Sequence, residues 1–200
     1  MNDSRERLLE ILREKSLKIG TFKLVSGMTS HYYFDSKFTT LDAEGSYLTS
    51  LLLLEELAKR NVKAVAIGGL TLGADPIVSA VAAVSWVERK RFDPLAAFIV
   101  RKETKQHGTM RFIEGFTAEP NTPVIIVDDV CTTGGSTLKA IKRTEEAGYK
   151  VVAVVCLVDR QQGGAEALSD YPFFPLFTAE ELLAAPEIQK QLAALTAAEG

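Results

Sequence analysis

The chain has little that would tie it together covalently or through a metal. Its 200 residues include two cysteines, Cys131 and Cys156, and two histidines, His31 and His107. No CxxC pair occurs, and no His/Cys spacing suits a structural zinc site. Both cysteines lie in or beside apolar stretches and read as buried free thiols of a reducing compartment. Long hydrophobic runs are missing too. The longest, Ile77 to Val87, is broken by serines and falls short of the ~18 residues of a membrane span. The charged start MNDSRERLLE lacks the apolar core of a signal peptide, so a cytoplasmic, membrane-free location is expected. Nor is there a surplus of positive charge: 23 Lys+Arg face 26 Asp+Glu, a net of −3, which speaks against a general nucleic-acid binder. What is present is ordinary globular material, 46% hydrophobic and 24% charged. At this length it suits one domain over 1–200 with a core that needs no disulfide.

Periodicity predicts a helix over Arg5–Lys15, capped by Asp3 or Ser4, and short strands at Thr21–Val25 and His31–Asp35. A leucine-rich helix follows over Asp42–Arg60. Then a rhythm sets in. Strands are expected at Ala64–Ile67 (ending at Gly68-Gly69), Leu95–Val100, Val124–Val127, Val151–Val158 and Phe173–Phe177. Helices are expected at Ala74–Lys90, Leu138–Ala147, 164–170 and 179–197. Continuously apolar strands alternating with helices mean an α/β fold, with a central, mainly parallel sheet flanked by helices. The segment Arg101–Glu119 breaks the rhythm. It is polar and basic, and long for a passive connection, which suggests a mobile functional loop. Residues 101–111 alone hold four basic residues against one acidic.

The most informative stretch is VIIVDDVCTTGGST, Val124 to Thr137. An apolar strand ends on Asp128 and Asp129, then a Thr/Gly/Ser turn leads into a helix. Ligands of open α/β sheets bind beyond the strands' carboxyl ends. A helix N-terminus offers free N–H groups and a positive dipole end, glycines let the backbone approach, and hydroxyls add donors. The turn is suited to a phosphate. Two acids beside a phosphate repel it unless they bind its hydroxyls or a cation, so a purely structural turn gains nothing from them. Neither GxxxxGK[ST] nor a GxGxxG after a strand is present.

This stretch resembles the ribose-phosphate signature of type I phosphoribosyltransferases. The resemblance implies that fold, with a small N-terminal hood over about 17–40. It implies that Val130, Cys131, Thr132, Thr133, Gly134, Gly135 and Ser136 hold the 5-phosphate of phosphoribosyl pyrophosphate (PRPP). Asp128 and Asp129 would then take the ribose hydroxyls. The run RKETKQHG, Arg101 to Gly108, resembles the catalytic loop of the orotate phosphoribosyltransferase family, which implies pyrophosphate contacts for Arg101, Lys102, Lys105 and His107. In that family the loop, here about 101–119, serves the neighbouring subunit of a homodimer. FKLVSGMTSHYYFDSK, Phe22 to Lys37, is similar to the family's hood, and Tyr33 and Phe34 either border the orotate ring or pack within the hood. Where some members carry a PRPP-contacting lysine, this chain has Val25, with Lys23 on the same strand face. GGLTLGADP, Gly68 to Pro76, resembles the pyrophosphate loop with Thr71 and Leu72 at its tip, although some members have a basic residue near Leu72. Asp75 reads equally well as a helix cap. The resemblance gives Arg160 the orotate carboxylate, for which a planar fork is suited, while an ion pair with Asp159 is the plainer reading. Thr132 joins Arg160 at the base.

The implied enzyme is a glycosyltransferase of the pentosyl type. It transfers phosphoribosyl from PRPP to orotate, giving orotidine 5-monophosphate and pyrophosphate in pyrimidine biosynthesis. Its expected metal is Mg²⁺, carried mainly by substrate phosphates, with Asp129 as an indirect protein partner. Lys105, His107, Asp128 and Asp129 form the expected catalytic set. His107 orients the loop, binds pyrophosphate or transfers a proton. A phosphoribosyltransferase for another base and a non-catalytic PRPP sensor are the alternatives.

Overall fold

In the computed structural model, residues 2–23, 29–103 and 112–198 are described. Six strands form one sheet in the order β5-β4-β3-β6-β7-β8. They are β3 (Ala66–Leu70), β4 (Ala96–Val100), β5 (Ile113–Glu114), β6 (Pro123–Cys131), β7 (Lys150–Asp159) and β8 (Phe173–Thr178). All neighbours pair in parallel except β5, which runs antiparallel to β4 at the edge. The chain builds outward from β3 to β4, then returns to the other side of β3 with β6. The order therefore reverses between β3 and β6, and a crevice opens beyond their carboxyl ends.

Both faces of the sheet are covered, which is why its strands read as continuously apolar. Along β6 the side chains alternate. Val124 and Ile126 pack with Phe98, Ile141, Val154 and Leu168, on the face of α5 (Gly135–Glu146) and α6 (Gly164–Ala167). Ile125 and Val127 pack with Leu53, Leu57, Ile77 and Val81, on the face of α3 (Ala43–Lys59) and α4 (Asp75–Val87). Asp42 caps α3 by accepting from the Gly45 amide, and Pro76 lies in the first turn of α4. No helix among the described residues is long and apolar enough to cross a membrane.

The hood is a hairpin of β1 (Leu17–Lys23) and β2 (Thr29–Phe34), followed by the short α2 (Lys37–Thr40). Behind it pack α1 (Asn2–Ile11), α7 (Ala179–Leu183) and α8 (Pro186–Ala198). Leu17, Tyr32 and Phe34 meet Ala185 and Ile188, so the C-terminal helices back the hood.

Several boundaries differ from the sequence reading, for identifiable reasons. The first helix passes through one wide turn, Leu12–Ser16, straight into β1. Gly68 and Gly69 lie inside β3 and do not end it. A Cβ at Gly68 would stand 2.1 Å from the Phe98 ring, and one at Gly69 would stand 2.2 Å from the Val127 carbonyl. These glycines serve close packing rather than a turn. The strand expected at Val124–Val127 runs on to Cys131, so both acids belong to it. The expected helix over 179–197 is two, broken before Pro186. The expected loop over 101–119 regains the sheet at β5.

Candidate active site

The crevice is built on the ends of β6 and β3. Asp128 is 5% exposed. Its Oδ2 accepts from the Ser136 hydroxyl at 2.7 Å and the Thr137 hydroxyl at 2.6 Å, and its Oδ1 accepts from the Asp129 amide at 3.1 Å. Burial raises its pKa from 3.8 to about 6, the neighbouring Asp129 charge adds to this, and the two hydroxyl bonds oppose it. Asp129 is half-buried and accepts from the Ser36 hydroxyl, which arrives from the hood's exit. A Cβ on Gly73 would lie 2.2 Å from Asp129 Oδ1, so the β3–α4 turn runs directly past this carboxylate.

The turn after β6 is shaped by Gly134, whose φ of 78° lies in the left-handed region. Thr133, Gly135 and Ser136 are exposed, and Thr132 is half-buried. Together they surround the N-terminus of α5, where amides and the helix dipole favour an anion. Val130 is half-buried and pairs with Val158. Cys131 is wholly buried beneath Gly164, and burial raises its thiol to about 11. Cys131 thus offers a ligand only its backbone.

The other turn, Thr71 to Ala74, contains a cis Thr71–Leu72 peptide. Leu72 is 73% exposed. Asp75 makes no cap bond. Its Oδ1 is buried without a hydrogen-bond partner, and burial raises its pKa. The reading of Asp75 as a cap therefore fails.

Arg160 follows β7. Its guanidinium lies over the Tyr32 ring, 5.0 Å from the centroid, and its Nε donates to the Tyr32 hydroxyl at 3.3 Å. The ion pair with Asp159 weighed above is replaced by this stack, because Asp159 accepts instead from the Gln161 amide at 2.8 Å. Tyr33, 45% exposed, meets Phe22 at 5.7 Å between ring centroids. Phe34 packs against core side chains around Leu157 and Leu17, in keeping with the second of the two readings left open for it, packing within the hood. The alternation of β2 puts Tyr32 on the Phe34 face, and Tyr32 is the aromatic beside Arg160. Sequence reasoning passed over Tyr32, Ser36 and Lys37, although all three lie within the quoted hood segment.

Arg101 pairs with Glu114 at 2.8 Å and donates to the Glu103 carbonyl at 3.2 Å. Arg143 of α5 donates to the carbonyls of Arg101 and Lys102 and lies 4.0 Å from the Phe112 ring centroid. The base of the basic loop is therefore anchored to the helix that follows the β6–α5 turn. Lys102 is exposed. Lys105 and His107, and likewise Val25, lie outside the described residues. No cluster of three or more His, Cys, Asp or Glu suited to a metal occurs among the described residues.

Comparison with known proteins agrees with this architecture. The family model of the phosphoribosyl transferase domain matches residues 51–180. The chain is 51% identical over 162 residues to an orotate phosphoribosyltransferase of Synechocystis, covering 81% of this chain and 79% of that protein. It is 47% identical over 182 residues to one of Thermosynechococcus vestitus, covering 90% and 93%. Among solved structures, Mycobacterium tuberculosis orotate phosphoribosyltransferase with PRPP superposes with a TM-score of 0.74 at 31% identity, over 90% of this chain and 98% of that one. The chain belongs to the phosphoribosyltransferase family and, within it, to the orotate phosphoribosyltransferases.

Proposed function

We infer that this chain transfers the 5-phosphoribosyl group of PRPP to orotate, releasing pyrophosphate and orotidine 5-monophosphate. It is a pentosyl transferase of pyrimidine biosynthesis. The observation that carries the reading is the β6–α5 junction at the sheet's switch point, where Asp128 at the strand end accepts from the Ser136 and Thr137 hydroxyls of the α5 N-terminus and Asp129 stands beside it.

The residues divide the substrate between them. Thr132 to Ser136 take the 5-phosphate through amides and hydroxyls, and Val130 and Cys131 support them through their backbone. Asp129, and Asp128 once its hydroxyl partners turn to the phosphate, accept from the ribose hydroxyls. Thr71 and Leu72 border the pyrophosphate. Cleavage at ribose C1 passes through an oxocarbenium-like centre, as in glycoside chemistry, while negative charge grows on the departing pyrophosphate. Lys105 is the principal cation for that charge, helped by His107, Lys102 and Arg101. For Arg101 this requires exchange of its Glu114 partner. Arg160, oriented by Tyr32, receives the orotate carboxylate as a fork, with Thr132 nearby.

Mg²⁺ is the metal this chemistry calls for. The donor set fits a substrate-borne ion, since Mg²⁺ commonly takes one or two carboxylates and completes its shell with phosphates and water. Asp129 is the carboxylate that would help hold it, and when bound the ion would neutralise pyrophosphate charge.

The decisive experiment mixes the protein with orotate, PRPP and Mg²⁺ and follows orotate absorbance. Its loss is expected, while uracil, adenine and hypoxanthine stay unconsumed. Turnover of another base in place of orotate would move the assignment, and PRPP binding without turnover would indicate a sensor. Arg160→Ala should raise the orotate KM roughly 30-fold or more, the cost of stranding a charged partner, and the PRPP KM far less.

The family resemblance supports a cytoplasmic homodimer in which loop 101–119 serves the neighbouring site. Mixing Lys105→Ala with Asp129→Asn protein should then restore activity through hybrid dimers. Failure under subunit exchange would place the loop in its own subunit's site.

A further inference from the structure

The hood's exit holds a cation that the reading above leaves unused. Asp35 is fixed by its backbone, its amide donating to the Ser16 carbonyl at 3.0 Å. Four residues on, the Thr39 hydroxyl bonds the Ser16 hydroxyl at 2.7 Å, and both groups are buried. Between them, Ser36 donates to Asp129. The corner at residues 35–39 is thus rigid and attached to the site acid. Lys37 leaves this corner with its ammonium 2.7 Å from Asp35 Oδ1, half of its side chain still exposed. The Asp35 bond chiefly raises the Lys37 pKa, with the charges of Asp35 and Asp129 adding to it against the effect of burial. The ammonium is thus held on Asp35, and the residue between them in the chain, Ser36, bonds Asp129.

The turn on the other side of Asp129 has the opposite character. Residues 70–75, Leu-Thr-Leu-Gly-Ala-Asp, contain no cation, and the buried, unpartnered Asp75 Oδ1 stands at the first turn of α4. A pyrophosphate bordered by Asp75 and Asp129 alone would meet repulsion from both. An ammonium has three donors, and the Asp35 contact takes one.

Building on the functional reading above, we propose that Lys37 is a substrate-binding residue whose ammonium ligates the pyrophosphoryl oxygens of PRPP across from the β3–α4 turn. Asp35 is its positioning residue. It holds the ammonium at the hood's exit, and Ser36 fixes that exit to Asp129.

Binding of inorganic pyrophosphate and of ribose 5-phosphate, each titrated calorimetrically, separates this role from a structural one. Lys37→Met should weaken pyrophosphate about tenfold, as expected for a lost charge-assisted bond, and leave ribose 5-phosphate within about twofold. Lys37→Arg should restore most of the loss. In steady state the PRPP KM should rise while the orotate KM holds. Asp35→Asn breaks the ion pair but keeps the ammonium, so its pyrophosphate affinity should stay closer to wild type than that of Lys37→Met. Unchanged pyrophosphate affinity in Lys37→Met would overturn the proposal. So would an equal loss of both ligands, or an Asp35→Asn variant as weak as Lys37→Met. If wild-type protein bound pyrophosphate through Lys37 yet consumed no orotate, the functional reading would fall and the Lys37 contact would stand.

Discussion

Two strand–turn–helix corners meet at the switch point, β6–α5 and β3–α4, and their chemistry differs sharply. The β6–α5 corner is complete in itself. A left-handed glycine, three hydroxyls within five residues and a helix N-terminus form an anion cradle, and the adjoining Asp128 is satisfied by that cradle's own hydroxyls. The β3–α4 corner has one hydroxyl, an exposed leucine at its tip and an acid with an unpartnered oxygen in the first turn of its helix. The same architecture therefore yields a phosphate site in one place and, in the other, a surface that tolerates an anion only when cations come from elsewhere. The basic segment at 101–111 and Lys37 are those cations in the present reading. In that reading pyrophosphate binding depends on how the hood and the loop are arranged, whereas the β6–α5 cradle is preformed. Such a division suits a reaction that keeps one phosphate and expels two.

The largest effect should come from removing the acids that join the two corners. Asp128→Asn with Asp129→Asn should lower kcat/KM for PRPP roughly 1000-fold, a loss typical of preorganised electrostatic groups, measured with orotate saturating. Near-normal activity would break the comparison at its centre, because neither acid would then belong to the substrate.

Alanine at one glycine in each corner sharpens the contrast. At Gly134 the left-handed φ and an Ala167 Cβ only 3.2 Å from the new atom make the cost conformational, about 1–2 kcal/mol. Gly134→Ala should lower Tm by about 2–8 °C and weaken ribose 5-phosphate. At Gly73 the new atom meets the end of the Asp129 side chain, which can swing aside. Gly73→Ala should therefore leave Tm within about 2 °C and raise the PRPP KM. Equal melting losses at the two positions would erase the distinction between a strained turn and a crowded one.

How much of this was readable in the sequence depended on distance along the chain. VIIVDDVCTTGGST is fourteen contiguous residues whose chemistry is local, so its strand, turn and helix order are visible without coordinates. The alternating apolar segments likewise announce a covered parallel sheet. Gly68 and Gly69 misled because a turn and a close packing contact ask for the same residue. Only the Phe98 ring and the Val127 carbonyl, supplied by other strands, decide between them. The Ser36–Asp129 and Tyr32–Arg160 contacts span 93 and 128 residues. No periodicity encodes them, and nothing local in β2 tells that Tyr32 is the aromatic that meets Arg160.

The complete corner also carries a stability cost that depends on pH. Burial holds the Asp128 carboxyl at about 6 instead of 3.8. Between those values the folded chain keeps a proton that the unfolded chain has lost, so this group's contribution to stability is full below 3.8 and is lost as pH rises through 6. Above that the folded protein carries a buried charge at a cost of up to about 3 kcal/mol, taking about 1.4 kcal/mol for each pH unit between the two values. Asp128→Asn abolishes the titration while leaving an oxygen that can accept from Ser136 and Thr137. Its Tm relative to wild type should therefore rise from pH 4 to about pH 6 and level off above it, by several degrees in all, even as activity is lost. A difference that does not change with pH would mean that the hydroxyls of the phosphate turn already offset the buried charge. The β6–α5 corner would then be as free of stored electrostatic cost as an ordinary helix cap.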